Sequence, residues 1–300
     1  MGIPVHIISG FLGAGKTTLM NHILTERPGD LKLALIVNDF GKIPLDGDLI
    51  DRSGYSLKEL SSGCVCCTLR GPLSNVLAQF AEKEDPDIIL METTGVAIPA
   101  EIASVFRSSH LSDLVQIGNV VSVVDTSSFL KYEGHFSVLG KQVQQANTIL
   151  LNKVDGSAKE ILENTRKRVE FLSLPEAVIE ETEHCGVPPK VVLEARQVYL
   201  PAYLSVSSHQ EELQSFSYET EEVFSLNRLV TFLDHLQEGI VRSKGIVRTD
   251  EGTKLLQITL SGCEITDWED ETNRSRIVLI GKEIQPEFLG GKLERCLVKV

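Results

Sequence analysis

The stretch Gly10-Phe11-Leu12-Gly13-Ala14-Gly15-Lys16-Thr17 constrains this chain more than any other, because it fits G-x-x-x-x-G-K-[ST] with suitable neighbours on both sides. Ahead of it, Val5 to Ile8 reads as an apolar, β-branched strand; after it, an apolar-periodic helix is expected from about Lys16. Each piece has a physical task. Gly10, Gly13 and Gly15 let backbone N–H groups approach phosphate oxygens, and the helix N-terminus adds a favourable dipole. Lys16 can neutralise the β and γ phosphates, and the Thr17 hydroxyl can hold Mg²⁺. A chance glycine turn is the competing reading, and the strand–turn–helix context argues against it.

Two later stretches extend this reading. "PDIILMETTG" is an apolar run ending in Glu92, as expected of a buried parallel strand whose carboxyl end meets a ligand crevice. An acid there can bind the Mg²⁺ shell or orient an attacking water. "NTILLNKVD" gives another apolar strand, followed by Lys153 and Asp155. The Asp155 carboxylate can accept two parallel hydrogen bonds from guanine N1–H and its amino group, and Lys153 can lay its aliphatic stem along the purine. The alternative is a strand-to-helix junction with Asp155 capping the helix that follows. The expected nucleotide is GTP.

Strands expected at 5–9, 33–37, 87–91, 117–124, 148–152 and 177–180 alternate with helices near 17–26, 71–83, 99–107, 136–146 and 157–172. This is the pattern of an α/β protein with a doubly wound, mainly parallel sheet. Residues 205–222 turn polar, serine-rich and acidic and read as a linker or exposed loop. A boundary near 212 divides the chain into a P-loop domain, 1–212, and a small α+β domain, 213–300. The latter is expected to hold a helix at 225–238 and strands near 240–248, 254–261 and 275–281. Arg242, Lys244 and Arg248 read as alternating charge on a solvated strand face.

The 300 residues carry a net charge of −13, which argues against a nucleic-acid partner held by a broad basic surface. The first residues lack a charged segment ahead of their apolar run, and glycines break that run too early for a signal peptide or membrane span. The expected location is the cytoplasm, with no membrane partner. Thiols stay reduced there, and clustered cysteines are more often metal ligands or redox groups than disulfides. Cys64, Cys66 and Cys67 lie within four residues. Three thiolates on so short a turn can converge on one cation, for which Zn²⁺ is the best fit. The local motif supplies one ligand fewer than a closed structural site, so a distant residue completes the shell or a position stays open. Cys185, Cys263 and Cys296 are scattered and read as small apolar fillers, and His184 as a surface-loop histidine.

Taken together, "GFLGAGKTT", "NDFG", "GCVCCTLR", "ETTG" and "NKVD" resemble the CobW family of P-loop GTPases, relatives of the hydrogenase and urease nickel accessory GTPases. The resemblance covers residues 1 to about 200, and "IVRSKGIVRTDEGTKLLQITLSG" resembles that family's smaller C-terminal domain. It implies a low-turnover GTPase that couples nucleotide state to delivery of zinc or cobalt to a client metalloprotein or a metal-cofactor pathway; the alternative is a regulatory or scaffold GTPase with a structural zinc site and a partner-binding C-terminal domain. A homo-oligomer is left open. By position, Gly10, Gly13, Ala14, Gly15, Lys16, Thr17 and Thr18 would hold the phosphates, and Lys16, Thr17 and Glu92 would serve hydrolysis. Asn152, Lys153 and Asp155 would bind guanine, and Cys64, Cys66 and Cys67 the metal. The family usually reads "NEFGE", its first Glu a candidate further ligand; this chain has Asp39 there, one methylene shorter, and Lys42 where a second acid is common.

Overall fold

The computed structural model describes residues 2–38, 56–60, 70–108, 110–198, 200, 214–234, 236, 240–259, 262–270, 272–282 and 284–298. The chain divides into two compact units, Met1–Val206 and Ser207–Val300.

In the first unit seven strands form one parallel sheet. They are β1 (Ile3–Gly10), β2 (Leu33–Asn38), β3 (Ser56–Leu60), β4 (Ile88–Glu92), β5 (Val115–Asp125), β6 (Thr148–Asn152) and β7 (Val178–Thr182). Their order across the sheet is β3-β2-β4-β1-β5-β6-β7. The helices between them are α1 (Lys16–Glu26), α2 (Arg70–Gln79), α3 (Pro99–Ala103), α4 (Phe129–Glu133), α5 (Ser137–Gln144) and α6 (Lys159–Leu172), and α7 (Pro189–Leu193) follows β7. The central strands are apolar on both faces because helices cover both: Val5, Ile7, Ile8, Ile89, Leu90, Ile149, Leu150 and Leu151 are fully buried. Leu19, Met20 and Ile23 of α1 recur at helical spacing and pack with Ile8, Leu35, Leu90 and Leu150.

Strand register brings the chemistry to one edge. Ile8 pairs with Glu92, Gly10 with Val123, Asp125 with Asn152, and Asn152 with Thr182. The carboxyl ends of β4, β1, β5, β6 and β7 therefore finish side by side.

Several elements differ from expectation. The strand β3 was not anticipated: "SLKEL" is short and largely polar, and at the sheet edge it pairs with β2 alone, so one apolar contact through Leu57 is enough. The short helices α4 and α7 also fell between expected elements. The expected 71–83 helix is α2 followed by a π-helical turn, Phe80–Glu84; the expected 99–107 helix tightens after Ala103 into 3₁₀ geometry over Ser104–Arg107.

The second unit holds an antiparallel sheet in the order β11-β10-β9-β12-β8 and, among the described residues, two helices. Its elements are β8 (Gln214–Thr220), α8 (Leu226–Asp234), β9 (Ile240–Thr249), β10 (Gly252–Thr259), β11 (Gly262–Asp267), β12 (Ser275–Gly281) and α9 (Pro286–Arg295). Leu229 and Leu233 of α8 and Leu289 and Leu293 of α9 pack with Val247, Leu256, Ile277 and Leu279. The 205–222 loop expectation is corrected here: residues 214–220 form β8, paired with β12. Polar composition hid an alternation in which Phe216 and Tyr218 turn toward this core. Along β9 the half-buried Arg242, Lys244 and Arg248 alternate with buried Val241, Ser243 and Val247.

Candidate functional site

The turn between β1 and α1 is held open by its glycines. Gly10 has φ +139°, and a Cβ there would lie 2.4 Å from the Val123 carbonyl oxygen; at Gly15, φ +117°, it would lie 2.5 Å from Asn152 Nδ2. The helix α1 starts after Gly15 without a side-chain cap and with no acid in its first turn, so its N-terminal N–H groups and dipole suit an anion. Ala14 is buried and Thr18 exposed.

Lys16 is 5% exposed, and its ammonium donates to the carbonyls of Gly10 at 3.0 Å and Phe11 at 3.2 Å. It thus spans the loop that precedes it. The Thr17 hydroxyl donates to the Glu92 carboxylate, with oxygens at 3.1 and 3.2 Å, across 75 residues of sequence. Glu92 is itself 5% exposed. A hydroxyl and a carboxylate at this spacing are hard oxygen donors of the kind Mg²⁺ takes, so the residues fit that ion.

At the other end of the edge, Asn152 is a buried bridge. Its Nδ2 donates to Ala14 O at 2.8 Å, and its Oδ1 accepts from the backbone N–H of Cys185 at 2.9 Å. Both amide atoms are fixed by partners of opposite sense, which joins the phosphate-type loop to the turn after β7. Lys153 has φ +63° and places its ammonium 2.7 Å from Asp125 Oδ2, at the end of β5. Asp125 also accepts from the N–H and hydroxyl of Ser127. Asp155 is exposed. It does not cap α6, which begins four residues past it, at Lys159 after Ala158. The capping alternative therefore falls.

Cys185 is fully buried, as its reading as an apolar filler expected, but its surroundings are particular. Its thiol donates to Gly15 O at 3.3 Å beneath the glycine turn. Burial pushes that thiol up to about 12, against the opposing pull of Lys153, of a backbone hydrogen bond at Leu19 and of Lys16. It stays protonated at neutral pH and is a poor metal ligand. His184 is exposed beside it.

The structure thus gathers Gly10, Gly13, Ala14, Gly15, Lys16, Thr17, Thr18, Glu92, Asn152, Lys153 and Asp155 along the strand carboxyl ends and the turns leaving them. Asp39, Cys64, Cys66 and Cys67 lie outside the described residues. Among the described residues no group of three or more His, Cys, Asp or Glu could hold a metal ion. Sequence reasoning missed Asp125, although a carboxylate closing a buried strand was the very signal that singled out Glu92. It also missed that Cys185 meets Gly15, for which no local signal exists.

Comparison with known proteins follows the same division. Residues 4–179 match the CobW/HypB/UreG nucleotide-binding domain, and residues 213–297 match the cobalamin synthesis protein CobW C-terminal domain. The chain is 28% identical over 324 residues to zinc-regulated GTPase metalloprotein activator 1 of Dictyostelium discoideum, covering 88% of this chain and 67% of that protein. It is 28% identical over 316 residues to the zinc chaperone YjiA of Escherichia coli K12, covering 96% and 98%. Against the solved structure of Zn(II)-bound YjiA GTPase from E. coli it has a TM-score of 0.49 at 22% identity, covering 99% of each chain. With more than half of its length matched by one family, and its remainder by that family's companion domain, the chain belongs to the CobW/HypB/UreG nucleotide-binding family.

Proposed function

We propose that this protein is a GTPase metallochaperone that hydrolyses GTP at the carboxyl edge of its parallel sheet and, in step with nucleotide state, binds and hands on Zn²⁺. The GTPase part follows the family and the loop that carries Lys16 and Thr17. The observation that carries the coupled reading is the presence of two features on one chain. Thr17 bonds Glu92 at the end of β4, and β3, two places from β4 in the sheet, leads into the segment that holds Cys64, Cys66 and Cys67. The named relatives, a zinc-regulated GTPase activator and a zinc chaperone, support zinc over cobalt as cargo.

In this reading Gly10, Gly13, Ala14, Gly15, Lys16, Thr17 and Thr18 hold the phosphates, and Thr17 with Glu92 would hold Mg²⁺. That ion, when bound, supplies charge neutralisation of the transferring phosphoryl group. Lys16 gives up loop carbonyls to reach phosphate oxygens, and Glu92 exchanges the Thr17 hydroxyl for the ion's shell or for a water. The exposed Asp155 selects guanine, and Lys153, held by Asp125, covers the base. Zn²⁺ is taken by Cys64, Cys66 and Cys67 with Asp39 as a further ligand, and passes to a client metalloprotein or metal-cofactor pathway in the cytoplasm. Among the described residues no helix is long and apolar enough to cross a membrane. The two domains of this reading are 1–212 for the nucleotide and metal, and 213–300 for a partner.

A tenfold change in zinc release between nucleotide states requires only about 1.4 kcal/mol of coupling. The test is zinc affinity by chelator competition under reducing conditions, with Mg²⁺ and either GDP or a non-hydrolysable GTP analogue bound. The expected result is a difference of about tenfold or more that disappears in Cys66→Ala. Equal affinities in the two states, with zinc that never exchanges, would sink the coupling and leave the cysteines as a structural staple.

A further inference from the structure

One buried polar side chain near the site remains without a role. Gln142 of α5 is 2% exposed, yet its Nε2 donates to Gly95 O at 3.2 Å and Ala97 O at 3.0 Å. Two carbonyl partners can be met only by the NH₂ end, so the amide orientation is fixed by chemistry. Three residues on, Gln145 accepts the backbone N–H of Ala100 on Oε1 at 2.9 Å. Ala100 lies in the first turn of α3, a helix without a side-chain cap of its own, and its otherwise orphaned N–H is satisfied from α5. Gln145 is the residue that closes α5 at its C-cap. The last turn of α5 and its cap together therefore grip residues 95 to 100, the continuation of Glu92-Thr93-Thr94-Gly95.

The near side of the same loop is also held. Thr93 N–H donates to Ile8 O at 3.0 Å, and Gly95 rests on the phosphate-type loop so closely that a Cβ there would lie 2.5 Å from Leu12 Cδ2. The segment is wedged between that loop and α5. A glutamine is a costly way to fill a buried position that a leucine or methionine would fill without desolvating an amide. What the amide adds is direction: drawing the Gly95 and Ala97 carbonyls toward α5 turns the N–H groups of Val96 and Ile98, across the same trans peptides, away from it.

We propose that Gln142, assisted by Gln145, is a positioning residue for GTP hydrolysis: it sets the orientation of the loop that follows Glu92, so that this loop meets the terminal phosphate in one fixed arrangement. The proposal rests on the GTPase reading above. It has a second consequence. The strand β6, which begins four residues past α5, ends in Asn152, so one helix joins the hydrolytic loop to the strand that reads the base.

The experiment uses the full chain with Mg²⁺ and measures kcat and KM for GTP, GDP affinity with a fluorescent GDP, and amide hydrogen exchange over residues 95–101. Gln142→Glu keeps the shape and removes both donors. It should lower kcat by about tenfold or more, as a small misplacement near reacting groups does. KM and GDP affinity should stay within about twofold, because those contacts lie elsewhere. Exchange at Ala97, whose own N–H donates to Thr94 O at 3.0 Å within the clamped turn, should rise as that turn loosens. Gln145→Ala should give a smaller fall in kcat with faster exchange at Ala100 alone, and it decides the matter if Gln142→Glu does not fold. An unchanged kcat in the folded variants overturns the proposal, as does a fall in kcat matched by a fall in GDP affinity, which would mark a merely structural residue. Absence of GTP turnover by the wild-type protein would remove the GTPase reading itself, whereas unchanged exchange at Ala97 in Gln142→Glu would remove the clamp alone.

Discussion

The two ends of the sheet's carboxyl edge are built from similar polar groups used in opposite ways. At the β1–β4 end, the side chains that a nucleotide and its ion would claim are engaged with each other or with the loop: Lys16 with two carbonyls, Thr17 with Glu92. At the β5–β7 end, Asn152 spends both amide atoms on backbone partners, leaving Asp155 exposed. In the proposed function, bonds of the first kind are exchanged when ligand arrives. Those of the second kind survive it. The lesson is that one edge can hold a responsive half and a fixed half, and a switch needs both, since a moving loop does work only against something that stays.

The strongest way to break this comparison is to remove the fixed half. Asn152→Ala leaves a buried carbonyl and a buried N–H unpaired at Ala14 and Cys185, which should cost roughly 2–4 kcal/mol of stability. Urea unfolding of the nucleotide-free protein measures it, and a loss below half a kcal/mol, roughly the scatter of neutral surface changes, would show that the bridge is dispensable.

The scaffold beneath both ends gives a pH test. His6, fully buried in β1, is held down to about 4 by burial, and neither of its ring nitrogens has a hydrogen-bond partner among the described residues. Its folded value lies below the unfolded one, so the native state prefers the neutral ring. Its contribution to stability is complete above about pH 6.5 and is lost as pH falls from there toward 4, amounting to roughly 3 kcal/mol. Carboxylates add an acid slope of their own, so the measurement is the difference in unfolding free energy between wild type and His6→Gln across that window. A difference that stays flat would contradict the assignment.

On the responsive half, Lys16→Met keeps the stem and removes the charge. It should lower kcat/KM for GTP by about 100-fold while leaving the melting temperature of the nucleotide-free protein nearly unchanged. A parallel collapse in stability would mean that the ammonium's loop contacts are structural rather than borrowed.

The smallest effect is expected where the two halves meet. Asp125→Asn removes the charge that holds Lys153, and because that lysine is about one-third exposed its anchoring should be worth only about 1 kcal/mol. The expected outcome is a GTP affinity several-fold weaker, with GTP still preferred over ATP, since Asp155 is untouched. Loss of that preference would shift base selection from Asp155 to the Asp125–Lys153 pair.

The responsive half was legible in the sequence because its parts are contiguous. A glycine turn between a strand and a helix announces itself within a dozen residues, and Glu92 stands at the end of an apolar run. The core strands were legible for the same reason. Two edge strands were not: β3 and β8 need apolar residues on one side only, and their polar majority reads as loop, whereas the edge strand β7 was expected at 177–180. Nor were Gln142 and Cys185, whose partners lie 45 and 170 residues away.

By itself, then, the sequence carried the phosphate-loop pattern at the end of the first strand, the parallel sheet that backs it, and the side chains proposed to meet the phosphates. The tertiary structure alone decided which of those groups are already engaged, that Asn152 ties two distant turns together, and that α5 grips the loop after Glu92. The physical reason is range: backbone preference and hydrophobic period act over a few residues, whereas hydrogen bonds and burial act between whatever the register of the strands brings together.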